Sequence, residues 1–276
     1  VTEIGSNTTE FVVDLPGHPD SSLRLAWAGV TDVGRKRLAN EDSYVVSSPI
    51  FAVADGMGGH AAGDLASAAV VTRLAEASIS PFVATEVVDQ ALEQASADID
   101  VVSVGSDLGV GTTATGAVLT LYQDNPYFAV FNVGDSRVYA FEGNRLHQIT
   151  VDHSVVQEMV DAGMLTREQA EHHPNSNIIT KAVGFGAAPA ADLWMLPLAA
   201  GFRLLICSDG LNKELSDSEI REHMAAGEPA SETAHALVDH ALAAGGRDNV
   251  TCVVVDVLAA PHNPQHDIGD TPLASA

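Results

Sequence analysis

Phe51-Ala52-Val53-Ala54-Asp55-Gly56-Met57-Gly58-Gly59-His60 joins an apolar run to an acid and a glycine-rich turn. Four apolar residues make a short strand, an acid ends it, and three glycines turn the chain toward an Ala-rich, helix-periodic segment. An acid at the end of a buried strand sits on a stiff base. Glycines after it let the backbone come close to a ligand, because no Cβ stands in the way. A carboxylate beside backbone oxygen suits a hard cation such as Mg²⁺ or Mn²⁺. Taken alone, the element is equally an ordinary Asp-Gly turn.

Working outward, the same context returns. Asp135 follows an apolar run in FNVGDS, Asp209 does so in LLICSDG, and Asp248 stands in RDN just before VTCVVV. Glu41 and Asp42 directly precede SYVV. Any one of these acids could end its strand as a plain turn residue. If the strand ends converge, however, the carboxylates repel one another and need compensation, which divalent cations supply. No Cys/His spacing suits zinc, so the oxygen-preferring Mg²⁺ or Mn²⁺ is the better match.

Composition narrows the alternatives. The chain has 276 residues, 46% of them hydrophobic, enough for a sizeable core in one large or two small domains. Its formal charge of -24, from 37 acids against 13 bases, leaves no basic footprint for nucleic acid or for a polybasic membrane-surface helix. No apolar run approaches the roughly 18–20 residues of a membrane span. The first residues lack a signal-peptide layout, so a cytoplasmic setting is expected. Cys207 and Cys252 each lie within an apolar run and read as reduced core residues. Monomer is the default state.

Along the chain, residues 1–22 are acidic, carry Pro16, Gly17 and Pro19, and read as a loosely ordered extension. Arg24 to Val30 is the first strand. Ala62 to Ala77 is helical, and residues 85–102 form a second helix whose buried face is Val88, Ala91, Leu92, Ala95, Ile99 and Val102. A β-rich middle opens at Gly111-Thr112-Thr113, with turns at Asp124-Asn125-Pro126 and Glu142-Gly143-Asn144. A helical insert follows, including a flap at about 160–185 with a capping box at Thr166–Gln169. Strands then resume, a second capping box opens at Ser216, another helix covers about 232–244, and one last strand ends the folded part. Residues 259–276 read as a disordered tail, leaving 23–258 as the domain. Segregated runs of strands and helices favour α+β, with two packed, mainly antiparallel sheets covered by helices.

Six motifs together resemble the metal-dependent protein phosphatases of the protein phosphatase 2C family in their bacterial form. They are Arg37-Leu38-Ala39-Asn40-Glu41-Asp42, Asp55-Gly56-Met57-Gly58-Gly59-His60, Gly111-Thr112-Thr113, Val133-Gly134-Asp135-Ser136-Arg137, Ser208-Asp209-Gly210-Leu211 and Arg247-Asp248-Asn249. They stand in the family's order over about residues 24–257.

The resemblance implies a four-layer α-β-β-α sandwich with a helical flap, and hydrolysis of phosphoserine and phosphothreonine by a metal-bridging water or hydroxide without a covalent intermediate. It implies two core Mn²⁺ or Mg²⁺ sites and a third, weaker one. Asp55 would bridge the core pair, the Gly56 carbonyl would bind one ion, and Asp209 and Asp248 would complete the other site. Asp135 with Asp209 would form the third site. Glu41 and Asp42 would hold metal-bound waters, with direct ligation open to Glu41. Arg37 would grip the phosphate, and Asn249 would anchor the Asp248 loop. His60 is the candidate general acid, a packing role being the alternative; His153, His172 and His173 read as surface or packing residues. The implied partners are phosphorylated proteins, namely Ser/Thr kinases and their substrates. A regulatory binding module and a small-molecule phosphomonoesterase are the competing readings.

Overall fold

A computed structural model describes residues 1–16, 21–58, 61–103, 109–263 and 273–274. The expectations that fall on Gly17, Pro19 and His60 lie outside these residues, as does most of the expected tail.

Strand alternation explains how the layers arise. In β5 (Ile50–Met57), Phe51 and Val53 enter one apolar layer, while Ile50, Ala52 and Ala54 enter another. In β12 (Arg203–Cys207), Leu204 and Ile206 share the first of those layers, and Leu205 and Cys207 enter a third. A strand apolar on both faces must be covered on both, so each belongs to a sheet with a sheet on one side and helices on the other.

The first sheet runs β1 (Glu3–Gly5), β4 (Asp42–Ser47), β5, β7 (Ala114–Tyr122), β8 (Asn125–Val133), β11 (Asp192–Pro197), β14 (Leu273–Ala274), with β6 (Gly111–Thr112) paired to β5. The second runs β10 (Arg145–Gln148), β9 (Arg137–Glu142), β12, β13 (Val250–Ala259), β3 (Ser22–Asp32), β2 (Thr8–Asp14). Only β1–β4 is parallel among these pairs. Between the sheets, Phe51 stands edge-on to Trp27 at 5.1 Å and to Phe128 at 6.2 Å. Helices α1 (Ala61–Glu76) and α2 (Glu86–Val102) cover the first sheet through Val70, Leu74, Leu92 and Ile99. Helices α6 (Asp217–Ala225) and α7 (Ala230–Ala244) cover the second through Ile220, Leu237 and Ala241. The α+β class and the α-β-β-α layering are therefore those expected.

The insert between β10 and β11 holds α3 (Val155–Asp161) and α4 (Arg167–Glu171). Both expected capping boxes form, at Thr166/Gln169 and Ser216/Glu219. The hairpin at Gly143-Asn144 forms where expected, with φ of 54° and 63°. The turn expected at Asp124-Asn125-Pro126 instead falls at Gln123 and Asp124, with φ of 51° and 61°, and Asn125 and Pro126 already belong to β8.

Three expectations need correction. Within the expected extension of residues 1–22, the described residues are not loose, because β1 pairs with β4 and β2 pairs with β3. Strand β2 is an edge strand whose one buried residue is Val13, so it shows little of the alternation that marks a strand in sequence. Val102, placed on the buried face of α2, is 45% exposed because it ends the helix beyond the sheet's cover. The tail is not wholly free of structure either: Asn263 is buried, and Leu273–Ala274 pairs with Met195 and Trp194.

Candidate active site

The acids named from sequence come to one end of the sandwich. Asp42 and Asp55 face each other directly in the β4–β5 register. Asp135 follows β8, Asp209 heads the short α5 (Asp209–Asn212), and Asp248 precedes β13. Asp55 feels the charges of Asp42, Asp209, Asp135 and Asp248 together, so acids from both sheets share one field.

The neighbouring motifs brace this rim. The Asp55 amide donates to Thr113 Oγ1 at 2.9 Å, and the Asp55 carbonyl accepts from Thr112 Oγ1 and the Thr113 amide, each at 2.9 Å. Thr113 Oγ1 also meets Ser136 Oγ at 2.9 Å, beside Asp135. Gly134 turns the chain there with φ of 115°, and a Cβ on it would lie 2.6 Å from the Thr113 side chain. Its amide donates to His153 Nδ1 at 3.0 Å, so His153 packs under the turn as expected of it. Gly56 approaches Gly63 so closely that a Cβ would stand 2.1 Å from the Gly63 carbonyl oxygen.

Asp42 is fully buried, and its Oδ2 accepts from Ser208 Oγ at 2.8 Å and Thr251 Oγ1 at 2.6 Å. Its Oδ1 is buried with no hydrogen-bond partner, and so is Asp209 Oδ1. Burial pushes Asp42, Asp55 and Asp135 above the usual carboxylate range, and the charge of Asp209 adds to the push on each. Carboxylates gathered this way, with buried oxygens unused, form a hard-donor set in need of positive charge.

Side-chain cations supply part of it. Arg37 Nη2 donates to Asp248 Oδ2 at 2.6 Å, and Arg37 itself is about half exposed. Lys213 Nζ contacts Asp209 Oδ2, donates to Asn177 Oδ1 at 2.7 Å and lies 3.7 Å from Asp135 Oδ2. Among the described residues, no group of three or more His, Cys, Asp or Glu is closed around a metal position. The donor chemistry, carboxylates with buried unpartnered oxygens, fits a divalent cation.

The remaining expectations sort as follows. Asn249 does more than hold its own loop: Nδ2 donates to the Val33 and Ala39 carbonyls at 2.9 Å, and Oδ1 accepts from the Glu41 amide at 2.8 Å. It thereby ties the Arg37–Glu41 loop to Asp248. His60 lies outside the described residues. Sequence reasoning missed Ser208 and Thr251 as partners of Asp42, and it gave Lys213 no role. The i, i+4 spacing of Asp209 and Lys213 on a short helix was the available signal.

An α-β-β-α sandwich with an acidic rim drawn from both sheets, and an arginine beside it, describes a class that comparison with known proteins specifies. The family model for protein phosphatase 2C matches residues 35–244. The chain belongs to the protein phosphatase 2C family. It is 35% identical over 239 residues to the serine/threonine phosphatase stp of Listeria monocytogenes serotype 4b, covering 82% of this chain and 93% of that one. It is 39% identical over 257 residues to the serine/threonine protein phosphatase PstP of Mycobacterium tuberculosis, covering 91% of this chain and 47% of PstP. The crystal structure of the Mycobacterium tuberculosis phosphatase PstP/Ppp matches with TM-score 0.78 at 37% identity, over 84% of this chain and 98% of that one. The catalytic domain of PstP in complex with two manganese ions matches with TM-score 0.76 at 38% identity, over 86% and 99%.

Proposed function

We propose that this protein is a metal-dependent phosphoserine/phosphothreonine protein phosphatase using Mn²⁺ or Mg²⁺. The observation that carries the reading is the acidic rim itself: Asp42, Asp55, Asp135, Asp209 and Asp248 share one field, and Asp42 Oδ1 and Asp209 Oδ1 are buried without partners. The membership in the protein phosphatase 2C family and the two manganese ions of the PstP catalytic domain support it.

Asp55 and the Gly56 carbonyl, with Asp209 and Asp248, would hold two core cations, and Glu41 stands beside them on the Asn249 tether. Asp42 is fully buried and fixed by two hydroxyls. When bound, the two cations lower the pKa of water toward neutrality and offset the charge on the phosphoryl oxygens. Arg37 is the chain's own phosphate clamp: its fork matches two phosphate oxygens, and its exposure leaves it reachable. His60 is assigned the proton for the departing Ser or Thr oxygen, on the motif DGMGGH. No helix among the described residues is long and apolar enough to cross a membrane. We extend the reading to a cytoplasmic setting, a monomeric state, and Ser/Thr kinases with their substrates as the phosphoprotein targets.

The test is hydrolysis of p-nitrophenyl phosphate and of a phosphothreonine peptide, first with EDTA and then with Mn²⁺ restored, beside Asp209→Ala. Activity should require Mn²⁺ and vanish in the variant. A folded protein inert at every Mn²⁺ concentration would instead be a binding module. A kcat/KM for a sugar phosphate above that for the peptide would make it a small-molecule phosphatase.

A further inference from the structure

Among the described residues, one base is inserted into the acidic rim from the α5 side. Asp209 opens α5, and Lys213 follows it by one helical turn, so the ammonium folds back onto the carboxylate that precedes it. Lys213 Nζ contacts Asp209 Oδ2 and lies 3.7 Å from Asp135 Oδ2. The same nitrogen donates to Asn177 Oδ1 at 2.7 Å, on the insert between β10 and β11. Nζ thus donates to oxygens of Asp209 and Asn177 and faces the Asp135 carboxylate as an ion pair.

The partition of Asp209 is informative. Oδ2 serves Lys213, whereas Oδ1 is buried and has no partner. One edge of this carboxylate is closed by a tethered positive charge, and the other is free for an ion shared with the rest of the rim. A divalent cation bridging Asp135 and Asp209 on the Lys213 side would meet the ammonium at contact distance, and like charges so close repel strongly.

We propose that Lys213 is a positioning residue that substitutes for a divalent cation between Asp135 and Asp209, limiting this chain to two bound ions. The inference rests on the metal-dependent reading above. Lys213 also fastens Asn177 to the rim, so the insert is held by a side chain instead of by a bound ion. Exchange of metal in the core pair then leaves the insert tied down.

The experiment counts bound Mn²⁺ by equilibrium dialysis with elemental analysis, independent of activity. Samples are the full chain, Lys213→Gln, Lys213→Ser, and Lys213→Ser combined with Asp135→Asn, each checked for a cooperative melt. The full chain should saturate at two ions. Lys213→Gln and Lys213→Ser should each gain a third, weaker ion, and the added Asp135→Asn should remove it. Three ions in the full chain overturn the proposal without needing any variant to fold. Two ions in both single variants overturn it as well, while leaving the two-metal reading intact. Failure of the full chain to bind Mn²⁺ at all would bring down the metal-dependent reading and this inference together.

Discussion

Arg37 Nη2 reaches Asp248 Oδ2 at 2.6 Å, joining the loop after β3 to the loop before β13 across 211 positions of sequence. The residue proposed to clamp phosphate is thus engaged by an acid proposed to bind metal. A cation taking Asp248 would compete for that carboxylate and release the guanidinium toward substrate.

Arg37→Ala should lower kcat/KM on a phosphothreonine peptide by about 10- to 150-fold, the value of a charged hydrogen bond of about 1.5–3 kcal/mol. Stability should hardly change, since Arg37 is 53% exposed and such ion pairs contribute about 0–1 kcal/mol. Arg37→Lys should recover only part of the rate, because an ammonium lacks the planar fork. Steady-state kinetics beside a thermal melt separates the two effects.

Asp55→Asn should act in opposite directions on stability and on metal binding. Asp55 is pushed up by burial and by the charges of four other acids, so the amide relieves repulsion in the metal-stripped protein and should raise its Tm. Mn²⁺ at 100-fold its Kd should stabilise the unaltered protein by about 2.7 kcal/mol, and EDTA should reverse that gain. The variant should lose most of this response. Calorimetry with EDTA and with Mn²⁺ reads both signs.

Asn249→Ala should destabilise by about 1–3 kcal/mol, because three main-chain groups lose their partner at once. Those groups are the Glu41 amide and the Val33 and Ala39 carbonyls. Urea unfolding should show the drop, with reduced Mn²⁺ affinity as the second sign that the Arg37–Glu41 loop has come loose.

Glu214 supplies a pH signature away from the acidic rim. Its Oε1 accepts from the Arg247 amide and from Arg247 Nε, both at 2.9 Å. Burial pushes Glu214 up, but the hydrogen bonds from Arg247 outweigh it, and the net shift is below the ordinary 4.5. A depressed carboxylate stabilises the fold fully above its unfolded value, and the gain is lost as pH falls through the folded value. Glu214→Gln should therefore cost about 1 kcal/mol at pH 7, a modest figure because Arg247 is exposed, and the gap should close toward pH 3. Melts of both proteins across that range check it.

Gly210→Ala should prevent the rim from forming. Its backbone is not in the left-handed region, so the constraint is space alone: an added Cβ would lie 1.9 Å from the Asn249 carbonyl oxygen. Displacing main chain on both sides should cost upwards of about 1–3 kcal/mol. Circular dichroism and Mn²⁺ binding would show whether fold, rim or both are lost.

Much of this was legible in sequence because it is local. Caps such as Thr166/Gln169, hairpin turns such as Gly143-Asn144, and the buried face of α2 up to Ile99 are set within a few residues of chain. The acids were legible because each stands at the start or the end of an apolar run. What pairs with them was not: Ser208 and Thr251 reach Asp42 across 166 and 209 positions, which no window along the chain can show. Strand β2 escaped notice for another reason, since an edge strand buries too little to leave a periodic mark. Lys213 stood in plain view four residues from Asp209, but an i, i+4 pair is usually a surface contact, and only the arrival of Asp135 and Asn177 gives it a place.

The two sheets are joined differently in the core and at the rim. Deep between them lie Trp27, Phe51 and Phe128, rings whose thickness sets the gap between the sheets. At the rim, the gap is spanned by carboxylates whose separation an ion would dictate. A change of bulk at Phe128 should then be felt at the acidic rim, as pressure near the pivot of a calliper moves its jaws. Variation in the middle of the core should be felt as a change in which cation is preferred, since Mg²⁺ tolerates less spread in its oxygen distances than larger ions do. Selectivity for metal would then be tuned from the hydrocarbon interior, by residues that never touch it.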